Sequence, residues 1–466
     1  MEDKRRLAMI KNRSERGQAL VLIVLGVVVL LGFTALAIDG GSLYADRRFA
    51  QNGADTASWA GGGAAAGYLK LASEDPALAA GVSGEDWNCS ATSVISATLR
   101  AHDQAILFAG RNEFMITSSP DFNATGNIVA THCEQVSGRY IDVRVSVTLD
   151  SRPSLLHFVF SGPARNTVDA ITRVFPREPV GGGYSFVSLT DTCSGSEKGT
   201  RISGTSDIIM NGGGIFSNSC IVSDGSSGTV TIITGTASYD NGFTYDPHGA
   251  PIINPSPQPV NYEFKPSVPP PDCIGNLNPA PVTSGSDTTY SPGRYTNDIN
   301  INGGGPITPT VTLQPGLYCF DNGADLSITG SNITGTNVTL FFTDDGGGMD
   351  TTGKGTVQIY PPTVPCPVPP FQSDSNCNPS APNLLIYVAP GNTNPIKLGG
   401  NSTSYYEGTV YAPSSQVSLG GTTSELSTVG VQVIAESIRV HGTVTMTITY
   451  DSSKLYHTPN FMNLQK

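Results

Sequence analysis

The chain has 466 residues, a formal net charge of −12, only 14% charged residues and as many as 53 glycines. This length exceeds what one ordinary core accommodates, so the sequence predicts several domains. The acidic excess argues against a nucleic-acid partner, because phosphate contacts need Lys and Arg. The Gly-rich, charge-poor composition excludes a largely helical body and favours turn-rich β structure.

A basic segment precedes an apolar run at the start of the chain. Residues 1–18 contain six Lys or Arg, and the 20 residues from Ala19 to Ile38 contain no charge. A helix of this length spans about 30 Å, the thickness of the hydrocarbon core of a bilayer. We predict a cytoplasmic tail (1–18) and a single transmembrane helix (19–38), with the N-terminus inside because the basic residues concentrate there. A cleaved signal peptide is the alternative, although its apolar region is usually only about 7–15 residues long.

The residues on both sides of this run form a recognisable pattern. The motif consists of Arg16-Gly-Gln-Ala-Leu-Val-Leu, Ala37-Ile-Asp-Gly-Gly, Tyr44, Arg47-Arg48, Gln51-Asn52 and Ala54-Asp-Thr-Ala. Over about residues 14–66 it resembles the N-terminal domain of the TadG-like (TadE/TadG) Flp pilus-assembly proteins. The positions that carry the family motif are Gly17, Gln18, Asp39, Tyr44, Gln51 and Asp55.

The resemblance implies a pilin-like α+β domain over residues 39–175 and partners among other pilus-assembly or pilin-like proteins. Within that domain, Tyr140–Leu149 alternates as a strand does, with Ile141, Val143, Val145 and Val147 on one face. Leu155–Phe160 and Ala164–Val174 are similar to the closing segment of the family. Leu22 stands where a type IV prepilin has Glu, so processing by prepilin peptidase is not expected.

Leu43, Ala50, Ala54 and Ala57 follow one another at helical spacing in residues 39–66, which predicts a helix with a small apolar face. This face either packs inside its own domain or packs between pilin-like helices. Some relatives also carry a von Willebrand A domain. The segment that begins at Asp191 has its serines out of register with the metal site of that domain, so we expect no metal there.

The C-terminal part is predicted to be mainly β. Residues 176–250 are read as a first β segment, 251–283 as a Pro-rich linker, 284–455 as a β-helix domain and 456–466 as a tail. Ile396-Lys-Leu-Gly-Gly, Val417-Ser-Leu-Gly-Gly and Ile438-Arg-Val-His-Gly repeat at a step of 21 residues. A fixed period of short alternating strands with Gly turns indicates a β-solenoid with rungs of about 21 residues. This part resembles the right-handed β-helix regions found C-terminal to such anchors. Asn211-Gly-Gly-Gly and Asn302-Gly-Gly-Gly resemble further turns, so residues 184–240 are read as the start of the same structure.

All eight cysteines follow the apolar run, and none forms a CxxC pair. An even number on the exported side predicts disulfides, which sequential pairing would place within local segments. Free buried thiols are the alternative. The candidates are Cys89, Cys133, Cys193, Cys220, Cys273, Cys319, Cys366 and Cys377.

The sequence favours no catalytic, cofactor or metal site. Asp344, Asp345, Asp350 and His441 lie at turns or isolated positions of the repeat, and Asp321–Asp325 lacks a calcium-loop pattern. The leading hypothesis is a non-catalytic structural or adhesion component that displays its C-terminal part at the cell surface. One alternative is a carbohydrate-binding adhesin, in which Tyr405 and Tyr406 either form an exposed pair that stacks on a surface glycan or pack within a coil loop. The other is a polysaccharide lyase or hydrolase.

Overall fold

The structure is a computed structural model that describes residues 3–465 with several gaps. The gaps are residues 76, 85, 153, 156–161, 194–198, 206, 226, 248–251, 262, 264, 274–275, 304–307, 364–381, 402, 422–425 and 443–444. Side chains are described from residue 19 onward, except at 252, 421 and 426–429. Contacts divide the chain into unit 1, Met1–Arg177 with Pro459–Lys466, and unit 2, Glu178–Thr458.

The first helix, α1 (Asp3–Glu74), has 72 residues and passes through two environments. From Leu20 to Ile38 its large apolar side chains are exposed, from 48% at Val27 to 69% at Leu22. Apolar side chains exposed all round a helix suit a lipid environment. This helix is long and apolar enough to cross a membrane, and it fits a single-pass anchor. From Ala50 to Ala72 the same helix is part of the core of unit 1.

Unit 1 combines α1 and a second helix, α2 (Thr92–Arg111), with one sheet. The strand order is β1–β2–β3–β4–β31, antiparallel except that β1 runs parallel to β2. The predicted strand is confirmed, because Ile141, Val143, Val145 and Val147 all point into the core with no exposure. The strands are β1 (Thr117–Ser118), β2 (Ile128–Glu134), β3 (Tyr140–Ser151), β4 (Ala164–Phe175) and β31 (Phe461–Gln465).

Strand β31 lies where the sequence suggests only a tail. Its residues pair antiparallel with β4, and the ring of Phe461 stacks on that of Phe175 at 4.3 Å between centroids. The chain therefore leaves unit 1 after β4, forms the whole of unit 2, and returns to complete the sheet of unit 1.

Unit 2 is a β-solenoid of about nine coils, so the predicted mainly β class is confirmed. A coil contributes up to three short strands, and equivalent strands of neighbouring coils pair in parallel. The first group of strands is β5 (Phe186–Ser188), β6 (Thr200–Ile202), β7 (Asp207–Asn211), β8 (Gly214–Ser217), β9 (Ile221–Ser223), β10 (Thr229–Ile232), β11 (Thr236–Asp240), β12 (Tyr245–Pro247), β13 (Ile252–Asn254) and β14 (Gln258–Val260).

The second group follows the Pro-rich segment and ends with a 3₁₀ turn at Ser452–Lys454. Its members are β15 (Val282–Ser284), β16 (Asp287–Tyr290), β17 (Gly293–Tyr295), β18 (Ile299–Asn302), β19 (Thr310–Leu313), β20 (Gly316–Phe320), β21 (Leu326–Thr329), β22 (Asn332–Gly335), β23 (Val338–Phe342), β24 (Met349–Asp350), β25 (Val357–Ile359), β26 (Leu384–Val388), β27 (Ile396–Leu398), β28 (Tyr405–Gly421), β29 (Leu426–Gly442) and β30 (Thr445–Thr449).

The two groups stack in an order that differs from the order of the chain. Strand β29, from the last coil of the second group, pairs with β5 and β6, and β30 pairs with β7. One coil is therefore built from β30, β5 and β6, which come from opposite ends of unit 2. The chain enters and leaves unit 2 side by side, where the N–H of Thr458 donates to the carbonyl of Glu178 at 2.9 Å.

The strand register confirms the 21-residue step near the end of the chain. Elsewhere in the solenoid, the spacing between paired residues is longer. Ile396 pairs with Val417, and Val417 pairs with Ile438. In earlier coils the partners are further apart, as for Val311 with Ile333 and Ile333 with Val357. The typical spacing is about 23 residues. The difference arises because the three-coil repeat has short, equal turns, whereas turns upstream vary in length.

Stacked side chains of one kind fill the inside of the solenoid. Rings of Tyr295, Phe320 and Phe342, from three successive coils, lie 5.7 and 4.8 Å apart. Aliphatic side chains at equivalent positions, such as Leu398 and Leu419, are fully buried in the same core. Each coil alone would expose these side chains, so neighbouring coils stabilise one another.

The Pro-rich segment packs against the solenoid instead of hanging free. The hydroxyls of Tyr411 and Tyr387 donate to the carbonyls of Pro266 and Val268 at 3.0 and 3.2 Å. Val268 itself is buried against outward-facing side chains of the second strand of each coil. These strands are apolar on both faces, which explains the unbroken apolar run of Leu384–Val388. We refer to the described residues between β14 and β15, which lie within 261–281, as the strap.

Disulfides are present, as predicted. Cys89 bonds Cys133 in unit 1, while Cys193 bonds Cys220 and Cys273 bonds Cys319 in unit 2. Each bond joins cysteines that are neighbours in the sequence, and no described cysteine is free. Cys366 and Cys377 lie outside the described residues.

Candidate functional site at the end of the apolar helix

The motif residue Asp39 ties the end of the apolar run to the sheet of unit 1. Its side chain is fully buried, and its two carboxylate oxygens accept the backbone N–H groups of Ser154 and Leu155, each at 2.8 Å. These residues begin the connection from β3 to β4. Hydrogen bonds to a carboxylate are strong, so this contact fixes the connection at the level of residue 39 on α1.

Gln51 and Asp55 join α1 to the sheet. They lie one turn apart on the helix, and the Gln51 amide donates to the Asp55 carboxylate at 2.7 Å. The same amide donates to the backbone carbonyl of Asp169 on β4 at 3.3 Å. The side chain of Asp169 in turn pairs with Arg144 on β3 at 2.8 Å. The structure therefore brings three of the six motif residues into one role, which is to hold α1 on unit 1.

The other motif residues lie along α1 away from the sheet. Tyr44 is 63% exposed, and the guanidinium of Arg48 lies 5.8 Å from the centre of its ring. Gly17 and Gln18 lie within α1 just ahead of the apolar run.

The small-residue face of α1 packs inside unit 1, which decides between the two interpretations of that face. Ala50, Ala54 and Ala57 are fully buried, and Leu43 is half-buried. A Cβ at Gly61 would lie 2.7 Å from the carbonyl oxygen of Ala101 on α2. Small residues are thus needed here because α2 and the sheet approach the helix backbone closely.

Buried charged residues on the opposite face of β3 form contacts that the sequence did not predict. Asp142 and Arg144 alternate with the core valines but are also buried, at 5% and 8% exposure. Arg173 binds both carboxylate oxygens of Asp142 at 2.8 Å, and these bonds raise the pKa of Arg173. Arg144 donates to the carbonyls of Phe122 and Ala124 at 2.5 and 2.7 Å. The only sign of these contacts in the sequence is the presence of charged residues within an otherwise apolar strand.

The acidic and histidine residues considered for catalysis have structural contacts in the turns and strands of the solenoid. Asp344 accepts the N–H of Gly391 at 2.8 Å, and Asp350 pairs with Lys397 at 3.1 Å. Asp345 accepts from the hydroxyl of Thr343 at 2.9 Å. His441 packs over Gly420, and partial burial lowers its pKa. Among the described residues, no group of His, Cys, Asp and Glu is placed to hold a metal ion.

Of the two interpretations of Tyr405 and Tyr406, packing within the coil applies to Tyr406. Its ring is fully buried, and its hydroxyl donates to the carbonyl of Gly399 at 2.7 Å. Tyr405 is half-buried and donates to Glu407 at 2.9 Å. Successive residues of a strand point to opposite faces, so adjacent tyrosines cannot form one sugar-binding platform here.

Two segments of the chain match known protein families. Residues 17–66 match a family described as Putative Flp pilus-assembly TadE/G-like, and this range holds all six motif residues. Residues 283–454 match a family described as Domain of unknown function (DUF7305). No curated protein and no solved structure matches the chain. The chain therefore joins an N-terminal segment that matches the TadE/G-like Flp pilus-assembly family to a β-solenoid, most of whose second group of strands matches a domain of unknown function.

Proposed function

We propose that this protein is a membrane-anchored, surface-exposed structural component of Flp pilus assembly or adhesion, and that it performs no catalysis. The observation that carries the proposal is the continuity of α1. Its exposed apolar run lies within the family match at residues 17–66, and the same helix then becomes the core of unit 1. Such a helix transmits the position of the anchor directly to a folded domain.

The proposed orientation has the basic N-terminus in the cytoplasm and both units outside. Six Lys or Arg precede the apolar run, and cytoplasmic flanks carry the excess of basic residues. Three disulfides in the two units agree with an oxidising compartment. Partners are the bilayer and other pilus-assembly or pilin-like proteins.

A structural role also agrees with the solenoid. The carboxylates of Asp325, Asp344 and Asp350 are engaged in hydrogen bonds and an ion pair within the solenoid, as expected of a stable scaffold. The carbohydrate-binding alternative relied on an exposed tyrosine pair, and the burial of Tyr406 removes that support.

Deletion of the gene in the cell that carries it tests the proposal. We expect loss of surface pili or of adhesion, restored by the full chain. A matched variant replaces residues 178–458 by a short Gly/Ser connection, because Glu178 and Thr458 are hydrogen-bonded neighbours. If this variant restores pili but not adhesion, unit 2 supplies adhesion. Unchanged pili and unchanged adhesion in the deletion strain would contradict the proposal.

Cell fractionation tests the anchor. Whole cells are sheared, and released filaments and membranes are blotted for unit 2. Retention in the membrane is expected for an unprocessed anchor, whereas release with filaments would identify a filament subunit. Protease added to intact spheroplasts should remove unit 2 and leave the N-terminal tail protected, and the reverse pattern would contradict the orientation.

A further inference from the structure

The position of Leu155 follows from Asp39. Asp39 is the first residue after the apolar run, so in a spanning helix it lies at the boundary between hydrocarbon and headgroups. Its carboxylate accepts the N–H of Leu155 at 2.8 Å. The backbone of Leu155 is therefore held at the same depth as the end of the span, although it is 116 residues away in the sequence.

Leu155 is a large apolar side chain left 39% exposed at that depth. On α1 the neighbouring Leu36 and Ile38 are 56% and 54% exposed. Exposed apolar side chains at the end of the span and at Leu155 thus lie at about the same level. An apolar side chain fixed beside a membrane-spanning helix is favoured in the interfacial layer of the bilayer.

Aromatic and basic residues lie just above this level. Tyr44 is five residues beyond Asp39, or about 7 Å along the helix, which is the depth of the headgroups. Tyr is typical of this layer because its ring is apolar and its hydroxyl is polar. Helical side chains lean toward the N-terminus, here toward the bilayer, as Arg48 does over the ring of Tyr44.

Three cations complete the same end of unit 1. Arg47, Arg48 and Arg152 are exposed, and none of them pairs with a carboxylate of a residue that the structure describes. Long basic side chains near the end of a span reach back to the headgroups. Arg152 lies three residues before Leu155, so a cation is present on the sheet side as well as on the helix.

We propose that unit 1 has a second contact with the membrane, in which Leu155 enters the interfacial layer and Arg47, Arg48 and Arg152 bind anionic phospholipid headgroups. This inference rests on the proposed function, in that the apolar run of α1 spans a bilayer. It adds that unit 1 is held against the bilayer surface and does not stand away from it on a free helix. The contact limits tilting of unit 1 about the end of the span.

Photocrosslinking of the full chain tests the contact. A benzophenone amino acid replaces Leu155, Leu30 in the span, or Val136, which is 92% exposed at the β2–β3 turn of unit 1. Each protein is reconstituted in vesicles of phosphatidylcholine and phosphatidylglycerol and irradiated, and phospholipid adducts are counted by mass spectrometry. We expect adducts at Leu30 and Leu155, several-fold above those at Val136.

Comparison of the three crosslinking positions distinguishes the membrane anchor from the proposed second contact. Adducts at Leu30 with no more at Leu155 than at Val136 would overturn the second contact and leave the anchor intact. No adducts at Leu30 would overturn the anchor itself. Phosphatidylglycerol should be enriched among the Leu155 adducts above its share in the vesicles. The triple variant Arg47→Gln, Arg48→Gln, Arg152→Gln should lose that enrichment, and equal enrichment in the variant would overturn the role of the cations.

Discussion

At the scale of single residues, the motif acts through contacts that are distant in sequence. Asp39, Gln51 and Asp55 stand out from the sequence because their spacing matches a family pattern. Their partners do not stand out, since Ser154, Leu155 and Asp169 lie more than a hundred residues away. A local pattern identifies which helical residues matter, but only the fold identifies what they bind.

Replacement of Asp39 by Asn should release the β3–β4 connection. An amide offers one acceptor oxygen in place of two and loses the charge, and such bonds contribute about 1–3 kcal/mol. We expect exchange of the Ser154 and Leu155 amides with deuterium to become about ten times faster or more. Asp46→Asn, one heptad further along α1, is the control, because Asp46 makes no side-chain hydrogen bond in the described part of the chain. Equal exchange in both variants would contradict the role given to Asp39.

At the scale of elements, α1 changes character without a break in its backbone. Its apolar run was predicted from composition alone, because a bilayer is a uniform solvent that composition describes well. The direction of its small-residue face stayed open, since Ala and Gly permit close packing of either kind. Packing against α2 and the sheet decides it.

The run Gly61-Gly62-Gly63 offers a matched pair of substitutions. A Cβ at Gly61 would meet Ala101 and Val143 at 2.7 and 2.9 Å, whereas a Cβ at Gly63 would meet nothing within 4 Å. Gly61→Ala should destabilise unit 1 by about 1–3 kcal/mol through overpacking. Gly63→Ala should stabilise it by about 0.5–1 kcal/mol, because Ala is the better helix former. The stability of each variant is measured by thermal unfolding in detergent, with proteolysis of unit 1 as the readout. A loss of stability in both variants would contradict the packing described.

Burial of tyrosine hydroxyls, such as that of Tyr387 beneath the strap, should make the solenoid less stable at alkaline pH. Tyr387 is 2% exposed, and burial raises its pKa to about 12. An unfolded tyrosine titrates near pH 10, so the stability that this group contributes is complete below pH 10 and is lost as pH rises from about 10 to 12. Denaturant unfolding of the wild type should weaken over this window by about 2–3 kcal/mol from Tyr387 alone. Tyr387→Phe should lose about 1 kcal/mol at neutral pH and show a smaller alkaline decline. An unchanged pH profile in the variant would show that the hydroxyl does not titrate as described.

At the scale of the whole chain, the class of fold could be predicted from the sequence, but the order in which the coils stack could not. A period of 21 residues with Gly turns indicates stacked coils, because equivalent positions of neighbouring coils lie in the same environment and carry side chains of similar kind. Nothing in that period specifies which coil stacks on the outer strand of the last one. The pairing of β29 with β5 and β6 depends on complementary edges, and these are invisible to a search for repeats.

The matched domain of residues 283–454 is therefore smaller than the structural unit. Alone, it lacks β5–β7 and would expose the outer edges of β29 and β30, which are ready templates for association. We expect a fragment of residues 178–458 to be monomeric and cooperative in unfolding, and a fragment of residues 283–454 to aggregate or oligomerise. Size-exclusion chromatography with circular dichroism distinguishes them. Two equally monomeric, equally stable fragments would argue against the composite coil.

The side-by-side entry and exit of the chain at Glu178 and Thr458 also bears on how such a protein changes in length. The two free ends of the coil stack lie at β14 and at β15–β16, and the strap connects them. Coils gained or lost at these ends change the number of coils and the length of the strap. The distance between the points where the chain enters and leaves unit 2 stays unchanged. Evolution can thus lengthen or shorten unit 2 by whole coils while the sheet of unit 1 stays intact.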